Sequence, residues 1–188
     1  DGKGGRATQD VTFEVTSQPQ VGDLRISKVE WGQTTITATK RLVADKDALL
    51  RVYVLSERAG ITAVKVTATG VRSGTMLGEL PLTGPGTVPT ADNANDINQQ
   101  YRVIIPAAWI ASGLQVTVRI DPQNALGETN ETNNELTLAP TVGRGSVLAI
   151  THVPIIQGGR TGTVRNIDNA MKQTWPLKGI DNQTRAAY

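Results

Sequence analysis

Short runs of this chain alternate apolar and polar residues with a period of two, and that pattern restricts the fold more than any other feature. The clearest run is LQVTVRI, where Leu114, Val116, Val118 and Ile120 alternate with Gln115, Thr117 and Arg119. In an extended strand successive side chains point to opposite faces, so such a run has one dry face and one wet face. ALLRVYVL repeats the pattern, with Leu50, Val52 and Val54 on one face and Arg51 and Tyr53 on the other. LRISKVEW alternates through Leu24 and Ile26, slips in phase, and resumes at Val29 and Trp31, which predicts a β-bulge.

Further strands are expected in ITAVKVTATG (Ile61, Val64, Val66, Ala68), TMLGELPL, YRVIIP and ELTLA, with weaker ones in VTFEV and TTITA. Pro106 ends YRVIIP because proline cannot donate to a ladder. AAWIASG reads as one helical turn with Trp109 and Ile110 inward and Gly113 as its stop. TGPGTVPTADNAND is a breaker-rich loop. About seven short strands, with turn signals every ~8–12 residues, predict an all-β chain built as an Ig-like antiparallel β-sandwich over residues 24–140. An antiparallel barrel of similar size fits the same pattern. Aromatic residues are only 4% of the chain, so Val, Ile, Leu, Thr and Ala must fill the interior. The expected core is Leu50, Val52, Val54, Val64, Val66, Val116, Val118 and Ile120.

The pattern changes after Pro140. SVLAITHVPII is a continuous apolar run, the mark of a strand buried on both faces. QGGRTGT is a glycine-rich turn. VRNIDNAMKQTW spaces Val164, Ile167, Ala170 and Met171 as a helical stripe, stopped by Pro176, and LKGIDNQTRAAY opens as another strand. Residues 141–188 therefore read as a partial α/β segment, strand–helix–strand: the start of a following domain, or a tail docked on the sandwich. Residues 1–23 read as a flexible leader with one short strand, and DGKGGRATQD reads as a mature or trimmed N-terminus.

Composition removes several classes of chemistry. With no cysteine there is no disulfide, no thiolate nucleophile and no Cys-ligated metal. No apolar run approaches the ~18–20 residues of a membrane-spanning helix. Residues 144–188 hold six basic and two acidic residues, but the cations are sparse and not interleaved with aromatics, so nucleic acid is not an expected partner. His152, the single histidine, lies inside a buried-looking strand with Thr151 and Pro154 nearby and reads as a core or edge histidine rather than a triad base, and one histidine cannot build a His-rich zinc site. GGRTGT lacks the lysine of a phosphate-binding loop, and GRGS around Ser146 does not match the G-x-S-x-G of a nucleophile elbow.

The segment DPQNALGETNETNN, Asp121 to Asn134, carries the remaining candidate chemistry. Asp121, Asn124, Glu128, Asn130 and Glu131 offer the hard oxygens that Ca²⁺ takes, although EF-hand spacing is not met. Asp121 or Glu128 with Glu131 would be the acid and base of a small hydrolase. The third reading is architectural: Asx- and ST-turns, with Pro122 fixing the strand exit, Gly127 taking a positive φ, and Asn133 and Asn134 bonding backbone groups at the last strand.

IDPQNALGETNETNNELTL, together with LRISKVEW, resembles the CARDB (cell-adhesion-related) domains of bacteria. The matching positions are Asp121, Pro122, Asn124, Glu128, Asn130, Glu131, Asn133 and Asn134, and the resemblance covers about 24–140. It implies an Ig-like sandwich of a secreted or surface protein. RLVADKDALLRVYV, VLAITHVPII and NAMKQTWPLKGIDNQTRAAY look like the N-terminal region of large secreted metallopeptidase-like proteins, where such a domain precedes a zincin-type catalytic domain. The resemblance implies a non-catalytic accessory or adhesion module at the bacterial envelope or outside it, with no resident cofactor unless Ca²⁺ binds. Its partners would be an adjacent domain of the same polypeptide, or a cell-surface glycan or protein.

Overall fold

The computed structural model describes residues 20–38, 41–163, 167–175 and 177–188. The leader 1–10, the strand expected over 11–15, Val164 and Pro176 lie outside the described residues. The main strands are β1 (Leu24–Gly32), β2 (Ala48–Ser56), β3 (Val66–Arg72), β4 (Thr75–Pro81), β5 (Tyr101–Ile105), β6 (Leu114–Ile120) and β7 (Glu135–Leu138). They form two antiparallel sheets. One has the order β7-β6-β3-β4; the other is β1-β2-β5, extended by the pair Ile36–Thr37 on the far side of β1. The expected antiparallel β-sandwich is thus present, and TTITA contributes only those two residues.

The alternating pattern sets the core. Val116 and Val118 are fully buried while Gln115 and Arg119 on the same strand are exposed. All eight expected core residues are buried, from Leu50 at 0% exposure to Val64 at 8%. Leu24, Trp31, Ile105, Ile110 and Leu138 complete the same cluster. The phase slip in β1 is a register shift between Ile26 and Lys28 against β2. Ser27, the extra residue, uses its hydroxyl to reach Asp92 at 2.8 Å and the Tyr53 carbonyl at 3.3 Å.

Trp109 ends a 3₁₀ turn, Ala107–Trp109, behind Pro106 and closes one end of the sandwich. Its indole lies so close to β3 that a Cβ on Gly70 would sit 2.5 Å from Cε3. Glycine is required there by close approach rather than by conformation. Gly113 stops the turn with φ +84°.

Three expectations are corrected. ITAVKVTATG becomes regular only at Val66, because Ala63 takes a left-handed φ of 58° and breaks the strand. Arg51 and Tyr53 do not face solvent: they are 6% and 2% exposed, because residues 89–100 fold over the outer face of β2. SVLAITHVPII forms β8 (Ser146–His152) but is not buried on both faces; Val147 is 60% and Ile155 69% exposed. Among the described residues its sheet has two strands, so there is too little structure to cover it.

This small separate sheet pairs β8 in parallel with β9 (Leu177–Thr184), and α1 (Ile167–Thr174) joins them, giving the expected strand–helix–strand unit. QGGRTGT is the turn of a small hairpin, Ile156–Gln157 with Arg160–Thr161. The unit is tied to the sandwich at 41–46. Arg41–Val43 pairs in parallel with Thr141–Gly143, and Lys46 Nζ donates to the carbonyls of Lys172 and Trp175, both at 2.9 Å. A cation at the C-terminal end of a helix satisfies orphan carbonyls and complements the helix dipole.

Candidate functional site

The polar segment starts where β6 runs out of core to face. Asp121 follows Ile120, takes φ +40° and is 7% exposed. Its carbonyl accepts from Asn124 N at 2.8 Å, closing a turn over Asp-Pro-Gln-Asn, and Oδ2 accepts from Leu126 N at 2.7 Å. Asn124 takes φ +49°. The left-handed residues are therefore Asp121 and Asn124 rather than Gly127. Short Asx side chains tolerate that conformation because they hydrogen-bond locally.

Glu128 lies in a short parallel pairing of Gly127–Glu128 with Gln20–Gly22. That pairing brings its carboxyl to the start of β1: Oε2 accepts from Leu24 N at 3.0 Å and Oε1 from Asn134 Nδ2 at 2.9 Å. The same Asn134 nitrogen donates to Glu131 Oε2 at 2.9 Å, so one amide group bridges two carboxylates. Glu131 Oε1 accepts from Glu128 N at 3.4 Å. Asn130 forms a local Asx turn, its Oδ1 accepting from Thr132 N and Oγ1. Asn133 Nδ2 spans 110 residues to the Asp23 carboxylate, at 3.0 and 3.1 Å.

The side chains of Asn133 and Asn134 thus donate to carboxylates, not to backbone groups as expected. The backbone link at the last strand comes instead from Ile120 N to the Asn134 carbonyl, 2.8 Å.

Burial pushes the Glu128 carboxyl up to about 7, aided by the nearby charges of Glu131 and Asp121. The hydrogen bonds from Leu24 N–H and Asn134 oppose the rise. Asn134 is 7% exposed, and its Oδ1, like that of Asn133, is buried without a hydrogen-bond partner. The segment also borders an open concavity of about 260 Å³, lined by Arg119, Asp121, Pro122, Asn124, Glu131 and Asn134.

Of the five candidate calcium ligands, Glu128 and Glu131 are brought together. Asp121 is near enough to act on Glu128 electrostatically but spends Oδ2 on Leu126 N, and Asn130 spends its oxygen on Thr132. Asn124 sits at the turn corner. No three Asp, Glu or His side chains among the described residues are grouped to hold a metal ion. Glu128 and Glu131 each carry hydrogen bonds that tie the hairpin together.

Two polar features lie outside the candidate residues of the sequence. Asp23 falls in the stretch expected as a leader, yet it anchors Asn133. Arg51 donates to Gln100 Oε1 (2.7 Å), Ala94 O (2.9 Å) and Glu30 Oε2 (3.2 Å), while Tyr53 Oη donates to Glu30 Oε2 at 2.9 Å. Burial alone would raise the Glu30 carboxyl, but hydrogen bonds from Lys28 and Tyr53 and the charges of Lys28 and Arg51 hold it below its ordinary value. Burial and the bond to Glu30 push the Tyr53 phenol up to about 12. The one available hint was Arg and Tyr on an otherwise apolar central strand. His152 Nε2 lies 3.0 Å from Asp168 Oδ1, linking β8 to α1. A larger open groove of about 520 Å³ runs along β5, lined by Leu49, Pro81, Thr83, Arg102, Val103 and Ile104. Its lining includes no carboxylate and no histidine.

Among solved structures, the chain is similar to the crystal structure of a CARDB domain from Pyrococcus furiosus in complex with di-metal ions. The two are 18% identical over 72% of this chain and 95% of that one, with a TM-score of 0.39. The solution NMR structure of a CARDB domain from the same organism matches at 17% identity over 65% of this chain and 95% of that one, with a TM-score of 0.37. No protein family and no curated protein matches the sequence. No helix among the described residues is long and apolar enough to cross a membrane.

Proposed function

We propose that the chain is a non-catalytic Ig-like accessory module of a secreted or envelope-attached bacterial protein, and that its sandwich supports a following α/β domain. The following domain is of the metallopeptidase-like kind that the C-terminal segment resembles. The module acts as a spacer and support, engaging that neighbouring domain or a cell-surface glycan or protein.

The observation that supports this reading is how the polar groups are used. Asp121, Glu128, Asn130 and Asn133 are spent on turns and on ties between the hairpin and the start of β1. Lys46 and the 41–43/141–143 pairing fix the strand–helix–strand unit to the sandwich. A hairpin stitched in this way holds a rigid end, and the anchored unit presents β8 with Val147 exposed.

The test is hydrolysis. The purified chain should not cleave peptide or glycoside substrates above the buffer rate. Hydrolysis that disappears in Glu131→Gln with an unchanged circular dichroism spectrum would defeat the reading and favour a small hydrolase. For the surface-binding part, the expected result is retention on intact bacterial cells or purified cell-wall glycan; passage through both defeats that part alone.

A further inference from the structure

We propose that Asn130 is an acceptor for N-linked glycan, and that the fold selects it over a second asparagine with the same local sequence. Two stretches match the acceptor pattern N-x-T: Asn130-Glu131-Thr132 and Asn182-Gln183-Thr184. Both asparagines are exposed, so accessibility does not separate them. Backbone geometry does. Asn130 lies outside the strands, in a run from Thr129 to Thr132 that is exposed throughout. Its Asx turn brings Thr132 onto the carboxamide: Oδ1 accepts from Thr132 N at 3.1 Å and from Thr132 Oγ1 at 2.7 Å. The backbone N–H can only donate, so the atom facing it is the oxygen. Nδ2 is left unengaged, with no acceptor among the described residues. Asn182 lies within β9, opposite Ile150, with Thr184 opposite His152. Residues two apart on a strand share a face but stand about 6–7 Å from one another. The ladder therefore holds the Thr184 hydroxyl away from the Asn182 amide.

The turn prepares the chemistry as well as the shape. An amide nitrogen is a poor nucleophile because its lone pair is delocalised into the carbonyl. Two donors on Oδ1 draw charge onto the oxygen and make the Nδ2 protons easier to remove. In the transfer, Nδ2 attacks C1 of the first sugar of a lipid-pyrophosphate-linked oligosaccharide. The N–C1 bond forms and the C1–O bond to the pyrophosphate breaks. The bonding pair leaves with the lipid pyrophosphate, and Nδ2 gives up one proton. The glycosylated amide keeps Oδ1, so both bonds from Thr132 survive. The ties made by Glu128, Asn133 and Asn134 use other atoms of the hairpin and are untouched. The site rests on the secreted or envelope-attached reading, because lipid-linked oligosaccharide is transferred to chains that cross a membrane.

The test is run in vitro, so that it does not depend on export. The folded full chain is incubated with a purified single-subunit oligosaccharyltransferase that accepts N-x-T without further sequence demands. The donor is a lipid-pyrophosphate-linked N-acetylglucosamine disaccharide, and sites are mapped by mass spectrometry of glycopeptides. Synthetic peptides 126–136 and 178–188 are the unfolded controls. Both peptides should be modified, whereas the folded chain should carry glycan on Asn130 and none on Asn182. Modification of the chain should be lost in Asn130→Gln and in Thr132→Ala, and be unchanged in Asn182→Gln. A folded chain left bare at Asn130 while peptide 126–136 is modified overturns the proposal. So does glycan on Asn182 of the folded chain at the level of Asn130, or a 126–136 peptide that is not modified. The secreted reading fails separately, through retention of the natural protein in the cytoplasm.

Discussion

Glu128 gives this sandwich a pH dependence that runs against the usual one for a carboxylate. Its ordinary value is 4.5, and burial beside Glu131 and Asp121 raises it to about 7 in the folded chain. The folded state therefore holds the proton more tightly than the unfolded state. Proton binding favours folding fully below about 4.5, and the benefit is lost as pH climbs through about 7. A carboxyl with a folded value this far above its unfolded one has an upper limit of about 3 kcal/mol. Glu128 is only partly buried, and solvent screening brings the expected loss between pH 5 and pH 8 to about 1 kcal/mol.

The perturbation is Glu128→Gln and the assay is urea unfolding at half-unit pH steps from 5 to 8, with EDTA present. Gln cannot titrate, and whatever the substitution costs in hydrogen bonds to Leu24 and Asn134 is nearly constant across the series. The stability of Glu128→Gln relative to wild type should therefore rise by about 1 kcal/mol from pH 5 to pH 8, equivalent to about 2–4 °C in melting temperature for a chain of this size. A flat difference, or one that falls with pH, refutes the electrostatic reading of the hairpin.

Three further outcomes are expected. Val118→Ala removes two buried methyl groups from a fully enclosed position on β6 and should cost about 2 kcal/mol by urea unfolding; a loss under ~1 kcal/mol contradicts the assigned face. Gly70→Ala drives a methyl into the Trp109 indole and should cost about 1–3 kcal/mol, most of it recovered in the double variant with Trp109→Leu; equal effects in both backgrounds exclude the clash. Arg51→Ala leaves the Glu30 carboxylate and Gln100 short of a buried donor and should cost about 3 kcal/mol, with amide exchange accelerated over residues 89–100 and not in β6; uniform exchange across the chain contradicts a local clamp.

The strands could be read because a period of two is a property of the local chain. LQVTVRI and ALLRVYVL announce their faces, and the phase slip in LRISKVEW announces its bulge, since each depends only on neighbours in sequence. The candidate site was legible in part. Asp, Asn and Glu crowded between two strands declare a polar hairpin. They do not declare that Asn134 bridges Glu128 and Glu131, or that Asn133 reaches Asp23. The strand-like C-terminal run misled for a related reason: SVLAITHVPII has the composition of a doubly covered strand, and composition does not count the neighbours available to cover it.

The sequence by itself determined the all-β class, the strand faces, the core residues of β2 and β6, the turn after Pro106 and the strand–helix–strand order of the C-terminal segment. Only the tertiary structure decided that Arg51 and Tyr53 are buried, that Glu128 is tied to Leu24, and that Lys46 caps a helix more than a hundred residues away. The division follows from the range of the forces. Alternation and turn chemistry act between residues a few positions apart, whereas a carboxyl's environment is set by groups that the chain brings together only after the sheets have stacked.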